Sequence, residues 1–144
     1  MHIMNPIESY EIEEDITLIV EKAQNFGKGI GEAFVRLAEK LENKGESRDC
    51  YGLVMKEENR MTYYAAFTEL FIGEAKEKKL STRVIEQGAY FSILINDWNQ
   101  NLMHIGPTFD QLLRSELTDT AMPCIEFYRT EKELLCMVKT KLNN

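Results

Sequence analysis

At 144 residues the chain fits one domain or two small fused halves, and its 44% hydrophobic and 28% charged residues suit a globular protein with a real core. A net charge of −7 argues against a phosphate-binding surface, which needs a concentrated basic patch; AKEKK (75–79) carries its own Glu77 and reads as a solvated connector. Three cysteines with no CxxC pair and two distant histidines lack metal-ligand spacing, and no apolar run reaches the roughly 20 residues of a membrane span. The acidic N-terminus is no signal peptide, so a reducing cytoplasmic compartment is expected, with thiols acting as small hydrophobes.

The first predicted element is the strand ITLIV (16–20). AFVRLAEKLENKG follows, with Phe34, Leu37, Ala38 and Leu41 at helical spacing and Gly45 as a C-terminal stop. CYGLVMK (50–56), the charged break EENR and MTYYAAF (61–67) read as a hairpin, the second strand running on through TELFI. GEAKEKKLS (73–81) has no helix-period apolar face and joins the halves. VIEQGAYFSILIND (84–97) is again strand-like. A second helix places Pro107 in its first turn and Phe109, Leu112 and Leu113 on an apolar stripe. MPCIEFYR (122–129), the break TEKE and LLCMVK (134–139) make a second hairpin.

These elements repeat. IGEAFVRL (30–37) and IGPTFDQL (105–112) share Ile, Gly, Phe and Leu at an offset of 75 (105 − 30), and ITLIV and FSILI (91–95) keep that offset. The chain therefore reads as an α+β fold of duplicated βαββ units with pseudo-twofold symmetry, an antiparallel sheet, two main helices and a central groove. A single domain over 1–144 is expected, its halves at about 14–72 and 80–142. Each helix covers one sheet face, and the opposite faces are expected to line the groove.

Within PCIEFYR (123–129) an acid, Glu126, interrupts an apolar strand. A carboxylate there must be solvated, paired, or set against something positive or protonatable. Alternation puts Cys124, Glu126 and Tyr128 on one face and Ile125 and Phe127 on the other. With TEKE as a four-residue loop, Arg129 faces Leu134 and Glu126 falls opposite Met137. Glu126 then joins Tyr128, Leu135 and Met137 on the groove side, while Ile125, Phe127, Cys136 and Val138 pack beneath the helix. Spacing leaves two readings open: an acid in water or paired with Lys139 or Lys141, or an acid desolvated at the base of an aromatic pocket. An offset of 74 (124 − 50) aligns Tyr63 with Met137 and brings Tyr63 and Phe67 to the groove; a one-residue slip would substitute Tyr64 and Tyr51. Trp98, in the polar turn NDWNQN, is either a lid on the groove or a half-exposed ring on the second helix. Met103 and Met137 are either adaptable pocket wall or core filler.

The same residues carry a family resemblance. Gly88, Tyr90 and Ile93, a helix, and then Pro123, Ile125, Glu126 and Tyr128 before an apolar closing strand resemble the G-x-Y-x-x-F, helix, P-x-F-E-x-Y order of the GyrI-like small-molecule-binding domain. This is also the effector-binding domain of AraC- and MerR-type transcription regulators. Tyr51-Gly52 and Tyr63-Tyr64-Ala65-Ala66 resemble its first half, and the likeness spans about residues 14 to 142. The sequence departs from the pattern in LLRSELTDTAMP, which has no tryptophan where many members have W-L-P, and in QNFGKG (24–29), which replaces H-x-G-x-Y. The resemblance implies a groove that takes lipophilic, often aromatic or cationic, molecules, with Glu126 as the polar group of its floor.

The leading expectation is a stand-alone small-molecule-binding protein. Its ligand would meet Glu126, Tyr63, Tyr128, Met137, Phe67 and Trp98, with no cofactor or metal and no direct contact to nucleic acid or membrane. The resemblance also implies a hydrolase that opens reactive cyclopropane-containing natural products, with Glu126 as general acid or base and Tyr63 or Tyr128 orienting water. No Ser/His/Asp, Cys/His or metal constellation accompanies that acid. A third expectation is a protein that modulates DNA gyrase. The partner expectations are a regulator, gyrase, or a second copy of the chain.

Overall fold

A computed structural model describes residues 4–24, 29–42 and 47–142. In chain order the elements are β1 (Glu8–Ile12), β2 (Ile16–Lys22), α1 (Ile30–Lys40), β3 (Cys50–Glu57), β4 (Arg60–Thr68), α2 (Glu74–Glu77), β5 (Thr82–Ile85), β6 (Gly88–Asn96), α3 (Ile105–Leu113), β7 (Cys124–Tyr128) and β8 (Glu133–Lys139). Two single turns of tight helix, Trp98–Gln100 and Leu102–His104, lead into α3. The fold is α+β, and it divides into two compact units, Asp15–Glu86 and Met1–Glu14 with Gln87–Asn144. No helix among the described residues is long and apolar enough to cross a membrane.

The Asp15–Glu86 unit contains the βαββ order read from the sequence, β2-α1-β3-β4. Its strands lie in the order β3-β4-β2-β5, all antiparallel. The β3–β4 hairpin turns on Glu58 and Asn59, both at positive φ (50° and 64°), the left-handed geometry that matches strand twist in a two-residue turn. Helix α1 carries Glu32 in its first turn and Lys40 in its last, which complements the helix dipole. It buries Ala33 and Leu37, followed by Leu41, against Ile19, Tyr63 and Ala65, while Phe34 meets Tyr63 and Phe67 edge-on. The expected stop at Gly45 lies outside the described residues, as does most of QNFGKG.

GEAKEKKLS, expected as a connector, contains the one-turn helix α2. Local capping builds it: Ala75 N–H donates to Glu69 (2.9 Å) and Leu70 N–H to Glu74 (2.9 Å). Glu74 itself takes a two-pronged bond from Arg48 (2.7 and 2.6 Å) and a third from Lys78 (2.9 Å), with the Arg48 and Glu74 side chains both 1% exposed. These charge-assisted bonds offset the cost of burying the two charges.

The second unit orders its strands β1-β6-β8-β7, again antiparallel. Helix α3 lays Phe109 and Leu112 on Ile93, Ile95, Leu134, Cys136 and Val138. Leu113, placed on the apolar stripe from sequence, is 37% exposed, because the stripe is completed by Thr108 instead. The long strand VIEQGAYFSILIND is broken at Glu86–Gln87: β5 pairs with β2, and β6 pairs with β1 and β8. Each βαββ core therefore gains an edge strand alongside its first strand. The β1 strand was missed from sequence, although Tyr10 and Ile12 alternate inward within ESYEI.

Candidate ligand-binding site

The β7–β8 register decides where Glu126 points. Glu126 pairs with Cys136, Ile125 with Met137 and Tyr128 with Leu134, one residue away from the expected pairing of Glu126 with Met137 and Arg129 with Leu134. The cause is the turn. Arg129 N–H bonds to Glu133 O (3.0 Å), and Thr130 Oγ1 accepts from Lys132 N–H (3.1 Å) and Glu133 N–H (3.0 Å), so the loop closes over three residues rather than four. A one-residue slip exchanges the facing partners wholesale.

Cys136 and Val138 lie beneath the helix as expected, and the corrected register brings Cys124, Glu126 and Tyr128 to that same helix-covered face. Ile125, Leu135 and Met137 face the other way. Met137, 1% exposed, is thus on the opposite side of the sheet from Glu126. The first hairpin shows the same correction. Tyr63 and Phe67 lie beneath α1, not on the face turned away from it. The slipped alternative, Tyr64 and Tyr51, occupies that outer face, where Tyr64 donates to Glu57 (2.7 Å) and accepts from Arg83 (3.0 Å), whose guanidinium stands 4.7 Å from its ring centre. The Tyr64 bond is the main influence holding the Glu57 carboxyl below its usual range.

Glu126 is 6% exposed. Tyr128 donates its hydroxyl to Glu126 Oε1 at 2.7 Å, and Trp98 meets the Tyr128 ring edge-on at 4.9 Å between centroids. Trp98, Tyr128 and Cys124 pack on the cluster under α3. Trp98 therefore does pack on the second helix's cluster, as one of its two readings had it. Its Nε1 is sealed from solvent and has no hydrogen-bond partner among the described residues. The turn that holds it begins at Asp97, at φ 51°, and is tied to the hairpin by Trp98 N–H donating to Lys132 O (3.3 Å).

The nearby thiols register the acid's charge. Burial first, and then the Glu126 carboxylate, push Cys124 up to about 11. The same two causes push Cys136 higher still. Both remain protonated at neutral pH and are poor nucleophiles. The arrangement is an acid that can receive a proton, a donor or a cation, walled by a phenol, an indole and two inert thiols. Among the described residues no group of three or more His, Cys, Asp or Glu could hold a metal ion.

Sequence reasoning thus named Glu126, Tyr128 and Trp98, which the fold gathers, and also Met137, on the opposite face of the β7–β8 hairpin, and Tyr63 and Phe67, which lie beneath α1 of the Asp15–Glu86 unit. Alternation already put Cys124 on the acid's face; what it missed was Cys136 as the acid's cross-strand partner, which the correct hairpin register shows. Met103 is 81% exposed. A cavity of about 240 Å³ lies elsewhere on this unit, lined by Asn5, Ser92, Leu94, Arg129 and Leu135 among others, and Glu126 does not line it.

No protein-family model matches the sequence, and no curated protein matches it. Solved structures do match in fold. An integron cassette protein from the mobile metagenome of Vibrio cholerae is 12% identical at a TM-score of 0.67, covering 95% of this chain and 97% of that one. A protein from Staphylococcus aureus MU50 assigned to bacterial transcription regulation is 17% identical at 0.59, covering 94% and 99%. A hydrolase from Listeria innocua is 9% identical at 0.56, covering 95% and 92%. At these identities the likeness is one of fold, and the three proteins carry three different descriptions.

Proposed function

We propose that this chain is a small-molecule-binding protein of the GyrI-like, effector-binding type, holding a lipophilic ligand with a positive or donating group against Glu126. The observation that carries the reading is the carboxyl of Glu126, 6% exposed and hydrogen-bonded to Tyr128 beside Trp98. An acid buried among aromatic rings and thiols is a polar group that a cationic or donating guest matches, and such acids in enclosed settings mark binding sites. The order of motifs in the second half supports the family reading, and the regulator-like neighbour from Staphylococcus aureus supports it at the level of fold.

The test is a thermal-shift screen of the wild type and Glu126→Gln against lipophilic cations and neutral aromatic compounds of matched size. Binding to the folded state raises the melting temperature by mass action, about 2.7 kcal/mol of stabilisation at a hundredfold excess over Kd. Trp98 is the single tryptophan of the sequence, so its emission reports the site directly. Cations should stabilise the wild type and shift that emission, and Glu126→Gln should lose both effects. Equal responses from the two proteins, or none, would defeat the reading.

A second reading has one specific observation behind it. The 2.7 Å bond between Tyr128 and Glu126 is a geometry in which a carboxylate takes a proton while a phenol orients water. A hydrolase would turn over a strained-ring substrate in the wild type and not in Glu126→Gln, whereas a binder would return its ligand unchanged.

A further inference from the structure

The buried indole N–H of Trp98 stands out in the site. Tryptophan buried in a folded protein ordinarily finds an acceptor for Nε1, and a sealed donor without one needs an explanation. Here Nε1 has no partner among the described residues, while the indole ring rests on Tyr128, which in turn bonds to Glu126. The Tyr128 ring thus contacts both the acid and the indole that carries the unanswered donor.

We propose that Trp98 is a ligand-contacting donor of this site, and that its ligand combines an aromatic body and a positive or donating group with a hydrogen-bond acceptor of the carbonyl type. The inference rests on the reading of Glu126 as a ligand-facing acid and narrows it, since a purely hydrocarbon cation would leave Nε1 unanswered. Nε1 is closed off from water and Glu126 is only 6% exposed, so the ligand enters by parting the Trp98–Gln100 turn from the β7–β8 hairpin. The Trp98–Lys132 backbone bond, at 3.3 Å, lies across that seam. Losing it on opening is offset by the bond that Nε1–H donates to the ligand's acceptor.

The experiment compares (naphthalen-2-ylmethyl)trimethylammonium with its 5-, 6- and 7-acetyl derivatives by titration calorimetry on the wild type, Trp98→Phe and Glu126→Gln. Phenylalanine keeps an aromatic ring and has no donor, and comparing each acetyl derivative with the parent cation on the same variant cancels the loss of the second ring. At least one acetyl derivative should bind the wild type about fivefold more tightly than the parent cation, the worth of one ordinary hydrogen bond, and that advantage should vanish in Trp98→Phe. If the parent cation binds and weakens in Glu126→Gln while no acetyl derivative gains, the reading of Glu126 stands and the acceptor proposal is overturned. An advantage that persists in Trp98→Phe overturns it equally. If no cation binds the wild type, both fall together. The wild-type comparison holds even if a variant folds poorly.

Discussion

Replacing Glu74 by glutamine tests the most deeply buried charge pair of the Asp15–Glu86 unit. Hydrogen bonds from Arg48 first, and then from Leu70 N–H and Lys78, hold the Glu74 carboxyl down from an ordinary 4.5 to about 2. At roughly 1.36 kcal/mol per pH unit, that displacement makes the ionised form worth about 3 kcal/mol to the folded state. Because the folded-state value is depressed, the contribution is complete above pH 4.5 and is lost as pH falls towards 2. It should shrink by about 2 kcal/mol between pH 7 and pH 3. Glutamine cannot ionise and leaves the Arg48 guanidinium, 1% exposed, facing a neutral amide, so the expected cost at pH 7 is about 3 kcal/mol. The assay is urea unfolding followed by far-ultraviolet circular dichroism, since Trp98 belongs to the other unit. The gap between wild type and Glu74→Gln should narrow by about 2 kcal/mol from pH 7 to pH 3. A gap under about 1 kcal/mol at pH 7, or one that ignores pH, would refute the argument.

Two further outcomes follow from the site. Thr130→Val removes the acceptor for two backbone N–H groups of the β7–β8 turn and should cost about 1 kcal/mol in urea unfolding; an unchanged midpoint would mean that the side chain does not set the register. Cys124 and Cys136, both pushed up by burial and by Glu126, should resist iodoacetamide at pH 8 in the native protein and react on unfolding, with labelled peptides counted by mass spectrometry. Rapid native labelling of either thiol would contradict the placement of Glu126 beside them.

The sequence carried the fold further than it carried the site. The 75-residue repeat, helical spacing and strand alternation made both βαββ cores legible, and the face-sharing sets were right within each strand: Cys124 with Glu126 and Tyr128, Tyr63 with Phe67. What failed was the transfer of register between hairpins. Gly52 pairs with Ala65 and Glu126 with Cys136, spans of thirteen and ten residues, so one offset cannot align both strands of both hairpins. An odd difference exchanges faces, which misplaced Tyr63 and Phe67, while the four-residue loop assumed at TEKE moved Met137 onto Glu126's face on paper. The turn chemistry that settles it lies in Thr130, whose bonds to Lys132 and Glu133 are too local for an apolar pattern to register. The Trp98–Tyr128 contact joins residues 30 positions apart through the turn before α3, and no periodicity announces it.

The edge strands impose an order of events on synthesis. The Asp15–Glu86 unit is continuous, so every strand within it, β5 included, has been made once residue 86 leaves the ribosome. The other unit is not. Strand β1 is translated early, yet its partners run from Ser92 for Glu8 back to Gly88 for Ile12, so its amides stay unpaired in the sheet sense until a whole unit has been translated after it. A gene cut between the two βαββ repeats would therefore strand β1 on the wrong fragment. The viable fission point is a double one, on either side of residues 15–86, which makes that unit an insertion within its companion.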